Sequence, residues 1–162
     1  MNEGNAVNEE DLVQAIQNRA GLRSADEARR LFEGVLQALA YVLPAEQCDA
    51  ICACVPEDAA WCLRCGPATP DPLIDSDVFV GWAMASVDAT GAPDETLGGA
   101  DPLAALAAAE VQARVRVVLE ALWERLEPPS RAGIEGCLPG GIAEMMNPGS
   151  SATRREHDEG DR

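Results

Sequence analysis

The chain has 162 residues, a formal net charge of −16, six Cys and a single His. That length suffices for a core that buries about two-thirds of the unfolded chain's surface, while the charge opposes a nucleic-acid-binding surface, which needs basic side chains to displace counterions. All twelve basic residues are Arg, so a Schiff-base lysine, a lysine general base and a Walker-type phosphate lysine are excluded.

The N-terminus, MNEGNAVNEEDL, lacks a basic segment followed by an apolar run, and no apolar stretch has the length a bilayer requires. The expectation is a soluble, cytoplasmic protein with reduced thiols and no membrane partner. Asn8 precedes Glu9, Glu10 and Asp11, and Leu12, Val13, Ile16 and Ala20 then form an apolar stripe up to Gly21. An N-cap, an acidic first turn and a terminal glycine predict a short helix. Ser24 and Glu27 have capping-box spacing, and Ala28, Phe32, Val35, Leu36, Leu39 and Leu43 continue at helical period, predicting a long helix that Pro44 ends. A third helix runs to about Cys54, and Pro56 with Glu57 and Asp58 opens a fourth that stops at Gly66-Pro67.

From about Asp77 the order repeats. Val78, Phe79 and Trp82 correspond to Leu12, Val13 and Ile16 at an offset of 66, and Leu36–Leu63 aligns without a gap on Leu119–Met146 at an offset of 83. Leu36, Ala38, Leu39, Leu43, Ile51, Cys54, Pro56 and Ala60 meet identical residues. Between the two registers lies the Gly- and Pro-rich stretch DATGAPDETLGGAD, residues 88–101, which reads as a loop insertion. The fold class expected is therefore all-α, with two tandem four-helix repeats packed as one pseudo-two-fold bundle, since each copy leaves an apolar face for the other to cover. Repeat one spans 8–67 and repeat two 75–146. Residues 1–7 and the apolar-poor segment 147–162 are expected to be disordered.

A helix closed by Gly21-Leu22, a capped long helix Leu36 to Pro44 and a short helix Ile51 to Pro56, echoed by Leu119 to Leu126 and Ile134 to Pro139, resembles a bacterial family known as domain of unknown function 2267. The resemblance covers about residues 8 to 146. It implies an all-helical tandem repeat of bacterial cytoplasmic proteins and carries no established catalytic residue.

The repeat acts as an internal control on the thiols. Cys54 pairs with Cys137, so both are expected to be small buried core residues. Cys48, Cys52, Cys62 and Cys65 instead face Arg131, Glu135, Met145 and Pro148 in the other copy. Their pattern C-x3-C-x9-C-x2-C suits a four-thiolate zinc site, while Cys48 and Cys52 also fit an apolar stripe beside Ile51 and Val55, where they would be inert. Cys62-Leu63-Arg64-Cys65 has the spacing of a thioredoxin-like redox pair, yet it closes a helix instead of opening one, where the dipole disfavours a thiolate. His157 lies in the terminal segment, which removes a Ser-His-Asp or Cys-His arrangement from the domain. Asp71, Asp75 and Asp77 flank a helix start and read as capping carboxylates rather than an EF-hand-type cation site. Trp61, Trp82 and Trp123 are expected to pack in the core; Trp61 and Trp123, whose counterparts in the other copy are Glu144 and Ala40, would anchor a protein partner if exposed.

These residues predict a non-enzymatic interaction module that engages an unknown protein partner or self-associates, with no nucleic acid and no resident cofactor. The alternative is a thiol-based zinc or redox site in the first repeat. Because the Arg residues are scattered in an acidic chain, filter binding at near-physiological salt is expected to detect no DNA or RNA complex; a complex that weakens steeply with added salt would contradict this.

Overall fold

The computed structural model describes residues 9–67, 69–88 and 102–146, with the side chains of 86–88, 102–108 and 140 left aside. The expected terminal segments 1–7 and 147–162, and the expected insertion beyond Asp88, lie outside the described residues. Among the described residues there are eight helices and no strand: α1 (Glu9–Ala20), α2 (Ala25–Val42), α3 (Ala45–Cys52), α4 (Glu57–Arg64), α5 (Ser76–Asp88), α6 (Pro102–Arg125), α7 (Pro128–Cys137) and α8 (Gly140–Met146). The fold is all-α.

Local chemistry sets the boundaries. Gly21 adopts φ 65° at the end of α1, and the Leu22 amide donates back to the Gln17 carbonyl at 3.0 Å, a left-handed C-terminal closure that favours glycine. Ser24 accepts from the Glu27 amide at 3.2 Å. The reciprocal bond of the predicted capping box falls one residue earlier, since Glu27 accepts from the Arg23 amide at 3.0 Å. Pro44 and Pro56 are the N-caps of α3 and α4, where a missing N–H costs nothing. α3 ends at Cys52, two residues before the expected Cys54.

The long α2 lies at the centre because its apolar stripe is wide: Leu31, Phe32, Val35, Leu36, Leu39 and Val42 are buried, and so are Ala28, Gly34, Ala38 and Ala40. α1 and α4 cover it from the N-terminal half of the chain, and α5 and α6 from the C-terminal half. The first helix of each half packs on the long helix of the other, α5 on α2 and α1 on α6. Val115, Val118, Leu119 and Leu122 of α6, Ile134 of α7 and Ile142 and Met146 of α8 complete one continuous core with Leu36, Leu39, Ile51 and Leu63. No polar or charged side chain is buried among the described residues.

The first-helix register differs from the one expected. Phe79 and Ala83 are buried while Val78 and Trp82, expected to match the buried Leu12 and Ile16, are exposed. Aligning the most hydrophobic residues placed Trp82 in the core; the small Ala83 occupies it because α5 lies close against α2.

Ion pairs are confined to the surface. Arg19 on α1 meets Glu124 on α6 at 3.3 Å and Arg29 on α2 meets Glu9 at 3.1 Å, and exposed pairs of this kind contribute about 0–1 kcal/mol each. Close approach matters more. A Cβ on Gly66 would stand 2.6 Å from both the Cβ and the carbonyl oxygen of Ala40 on α2, whereas one on Gly81 of α5 would meet nothing within 4 Å. Gly66→Ala is therefore expected to destabilise the protein by about 1–3 kcal/mol through overpacking. Gly81→Ala is expected to stabilise it by about 0.5–1 kcal/mol through helix propensity. Equilibrium urea midpoints of the two variants should move in opposite directions.

Candidate functional site

The six thiols are all free, and α3, α4 and their connections carry five of them. Cys48 faces inward from α3, buried, with its thiol 3.8 Å from the Leu43 carbonyl oxygen. Burial pushes its pKa up to about 11, with neighbouring Cys52 and Asp49 adding to the rise. Cys52, half-buried, donates to the Ala60 carbonyl at 3.7 Å. Burial raises its pKa as well, and the Arg64 guanidinium beside it opposes the rise. Cys62 on α4 is raised by burial, then by the charges of Glu33 on α2 and of Cys65. Cys65 is exposed and forms the C-cap of α4.

Cys48 therefore neighbours Cys52, and Cys62 neighbours Cys65, but the two pairs do not converge. Among the described residues no three His, Cys, Asp or Glu side chains are grouped so that they could hold a metal ion. The four-thiolate arrangement that the spacing of Cys48, Cys52, Cys62 and Cys65 suggested is not assembled. Cys48 is buried on α3, and Cys65 at the C-terminal end of α4 is exposed. Redox chemistry at Cys62 and Cys65 meets a difficulty from the electrostatic side, since burial raises the pKa of the half-buried Cys62 and a nucleophilic thiol needs a lowered one.

Cys54 and Cys137 also depart from the expectation that both are core residues. Cys54 is half-buried and Cys137 is exposed. The inward-facing positions are their neighbours, Ile51 and Val55 in the first half and Ile134 and Leu138 in the second. Cys54 lies in the turn that follows α3, its thiol 3.5 Å from the Ala50 carbonyl oxygen. Burial raises its pKa, and the charge of Glu127 at the start of α7 adds to the rise while Arg125 opposes it.

A second group of residues comes together around Tyr41. The Asp71 amide donates to the Tyr41 carbonyl at 2.8 Å, and the Tyr41 ring meets Trp82 edge-on at a centroid distance of 4.9 Å and 80°. The linker after α4 and the outer side of α5 are thus fixed to one residue of α2. Asp75 accepts from the Val78 amide at 2.9 Å and so caps the start of α5, whereas Asp71 accepts from the Leu73 amide at 2.9 Å and closes a turn in the linker before it. The large apolar side chains left exposed by this arrangement are Leu73 at 83%, Val78 at 39% and Trp82 at 43% of their full area, with Trp61 on α4 at 66%. Trp123 behaves differently, partly buried against the core with the Arg131 guanidinium 5.8 Å from its ring centroid.

The family model for uncharacterized conserved proteins designated DUF2267 matches residues 9–145, which takes in all eight helices but the last residue of α8. The chain belongs to this family. A comparison with curated proteins finds no match. The DUF2267 helices therefore bring no assigned activity with them, and the thiols and the Tyr41 surface are judged on their own geometry.

Alkylation with iodoacetamide should follow that geometry, fastest at Cys65 and Cys137 and slowest at Cys48, as read by peptide mass spectrometry; a rapidly modified Cys48 in the native protein would contradict the placement. The raised Cys48 pKa also fixes a pH dependence. A thiol whose folded pKa exceeds its ordinary value near 9.0 contributes stability that is fully present below that value and is lost as the pH rises through about 11. Stability should therefore fall between about pH 9 and 11, and Cys48→Ala should flatten that fall.

Proposed function

We propose that this protein is a non-enzymatic, cytoplasmic protein-interaction module built from two copies of one four-helix unit. What supports the repeat is the exchanged packing of α1 on α6 and α5 on α2, the arrangement expected of two similar units facing each other across a pseudo-two-fold axis. The observation that carries the functional reading is the exposure of Leu73, Val78 and Trp82 together in and just before α5, three of the four large apolar side chains exposed among the described residues. Phe79 and Ala83 fill the inner side of α5, and Trp82 on the other side meets the Tyr41 ring yet leaves 43% of its area exposed. Tryptophan is the residue most enriched at interface hot spots, where its area is desolvated by a partner. Contiguous exposed apolar surface marks interaction sites more often than isolated apolar residues do.

Against an enzymatic role stands the character of the interior. Catalytic groups are tuned by desolvation and neighbouring charge in a cleft, and the described interior buries no polar or charged side chain. The shifted groups are thiols, and each is shifted toward its unreactive form. No helix among the described residues is long and apolar enough to cross a membrane, which agrees with a partner met in water.

A photo-crosslinking amino acid placed at position 82, and separately at the exposed position 10 of α1, tests this reading in the native cells. Discrete protein adducts are expected from position 82 and not from position 10. Identical adduct patterns from the two positions would contradict a specific interaction surface.

A further inference from the structure

The exposed face of Leu73, Val78 and Trp82 has a chemical character that narrows its partner. Val78 and Trp82 lie one turn apart on α5, so they share one side of the helix, and the Asp71–Tyr41 and Trp82–Tyr41 contacts bring Leu73 to the same region. Carboxylates flank it in the sequence: Asp71, Asp75 and Asp77 lie within the segment that carries the apolar residues, and Asp75 and Asp77 are exposed. From Cys65 to Ala113 the chain contains no Arg or Lys at all, so nothing in the sequence around this face neutralises the acidic residues. An apolar centre with an unbalanced acidic rim is complementary to a cationic amphipathic segment and repels another acidic surface.

We infer that this face docks an amphipathic helix of a partner protein whose apolar side covers Leu73, Val78 and Trp82 and whose flanking Lys or Arg residues meet Asp71, Asp75 and Asp77. The inference rests on the interaction-module reading and names its partner's chemistry. Helix recognition of this type places apolar anchors at i, i+3, i+4 and i+7 against an apolar surface. The acidic rim speeds encounter and sets the salt dependence, while the Trp82 contact sets the lifetime of the complex. A second copy of the chain is the poorer occupant, because two molecules of charge −16 would bring the same carboxylates face to face.

The test uses labelled amphipathic peptides of about 14 residues, long enough for nearly four helical turns, made from Leu with Lys, Leu with Ser or Leu with Glu. Binding to the full chain is read by fluorescence anisotropy, with the oligomeric state followed by sedimentation. The Leu/Lys peptide is expected to bind and the Leu/Glu peptide not to. Its affinity should fall at least about tenfold for Leu73→Ser/Trp82→Ala, and similarly for Asp71→Asn/Asp75→Asn/Asp77→Asn, in which the amide side chains still cap. It should change little for Glu10→Gln/Asp11→Asn/Asp26→Asn, which removes the same charge from exposed positions on α1 and the start of α2. Leu73→Ser alone, at a position 83% exposed, serves if the double variant does not fold. Equal losses from the two charge-neutralised variants would overturn the inference, since binding would then follow net charge alone. Equal affinity for the Leu/Ser and Leu/Lys peptides would overturn the cationic partner while leaving the interaction module in place. A dimer of the free protein that Leu73→Ser disperses would identify a second copy as the occupant and also overturn it. Failure of every peptide to bind a monomeric protein would reject the docking face itself.

Discussion

The structure depends on covering one helix. α2 presents apolar side chains around most of its circumference, and no single neighbour can shield it: α1 and α4 take part of the surface, and α5 and α6 take the rest. Full burial of a Leu, Val or Phe side chain contributes about 1.5–3 kcal/mol, so leaving α2 half-covered would forfeit several such contributions at once. The two halves of the chain are thereby tied into one core. The same demand explains small residues against α2, Gly66 in the linker after α4 against Ala40 and Ala83 on the inner side of α5.

This constraint also shapes the surface. Because α5 spends its inner side on α2, its exposed positions include Val78 and Trp82 beside Asp77, where a solvated helix face usually carries mostly polar and charged side chains. The Asp71–Tyr41 hydrogen bond and the Tyr41–Trp82 contact then fix that face to the rigid centre of the molecule. A binding surface held by a core helix costs little ordering entropy when a partner docks. The thiols contribute to the opposite property, since Cys48 acts as a small apolar filler whose ionisation the fold opposes.

Most of the helical architecture was legible in the sequence because its signals are local. Ser24, Gly21, Pro44 and Pro56 act through the backbone geometry of one or two turns, and the stripe from Ala28 to Leu43 reports its buried side by period alone. Three-dimensional placement of the chemistry was less legible. The identity of Cys54 and Cys137 across the two halves reflects a shared helix-end position, and a one-residue rotation toward Val55 and Leu138 decides which side chain enters the core. The C-x3-C-x9-C-x2-C spacing fixed pairs within each helix but not the angle between α3 and α4, on which convergence of four thiols depends. At α5, hydrophobicity pointed Trp82 inward; the short distance to α2, invisible in a sequence, selected Ala83 instead.

That α2 joins both halves into one cooperative unit is tested most directly by equilibrium urea unfolding of two single-tryptophan variants, one retaining only Trp61 in α4 and the other only Trp123 in α6. Each is followed by fluorescence and by far-ultraviolet circular dichroism. A core that both halves must complete predicts that, within each variant, the fluorescence and dichroism transitions coincide and share one midpoint. A Trp61 signal that melts at a different urea concentration from the helix signal of the same variant would show that the halves fold independently and would contradict the account.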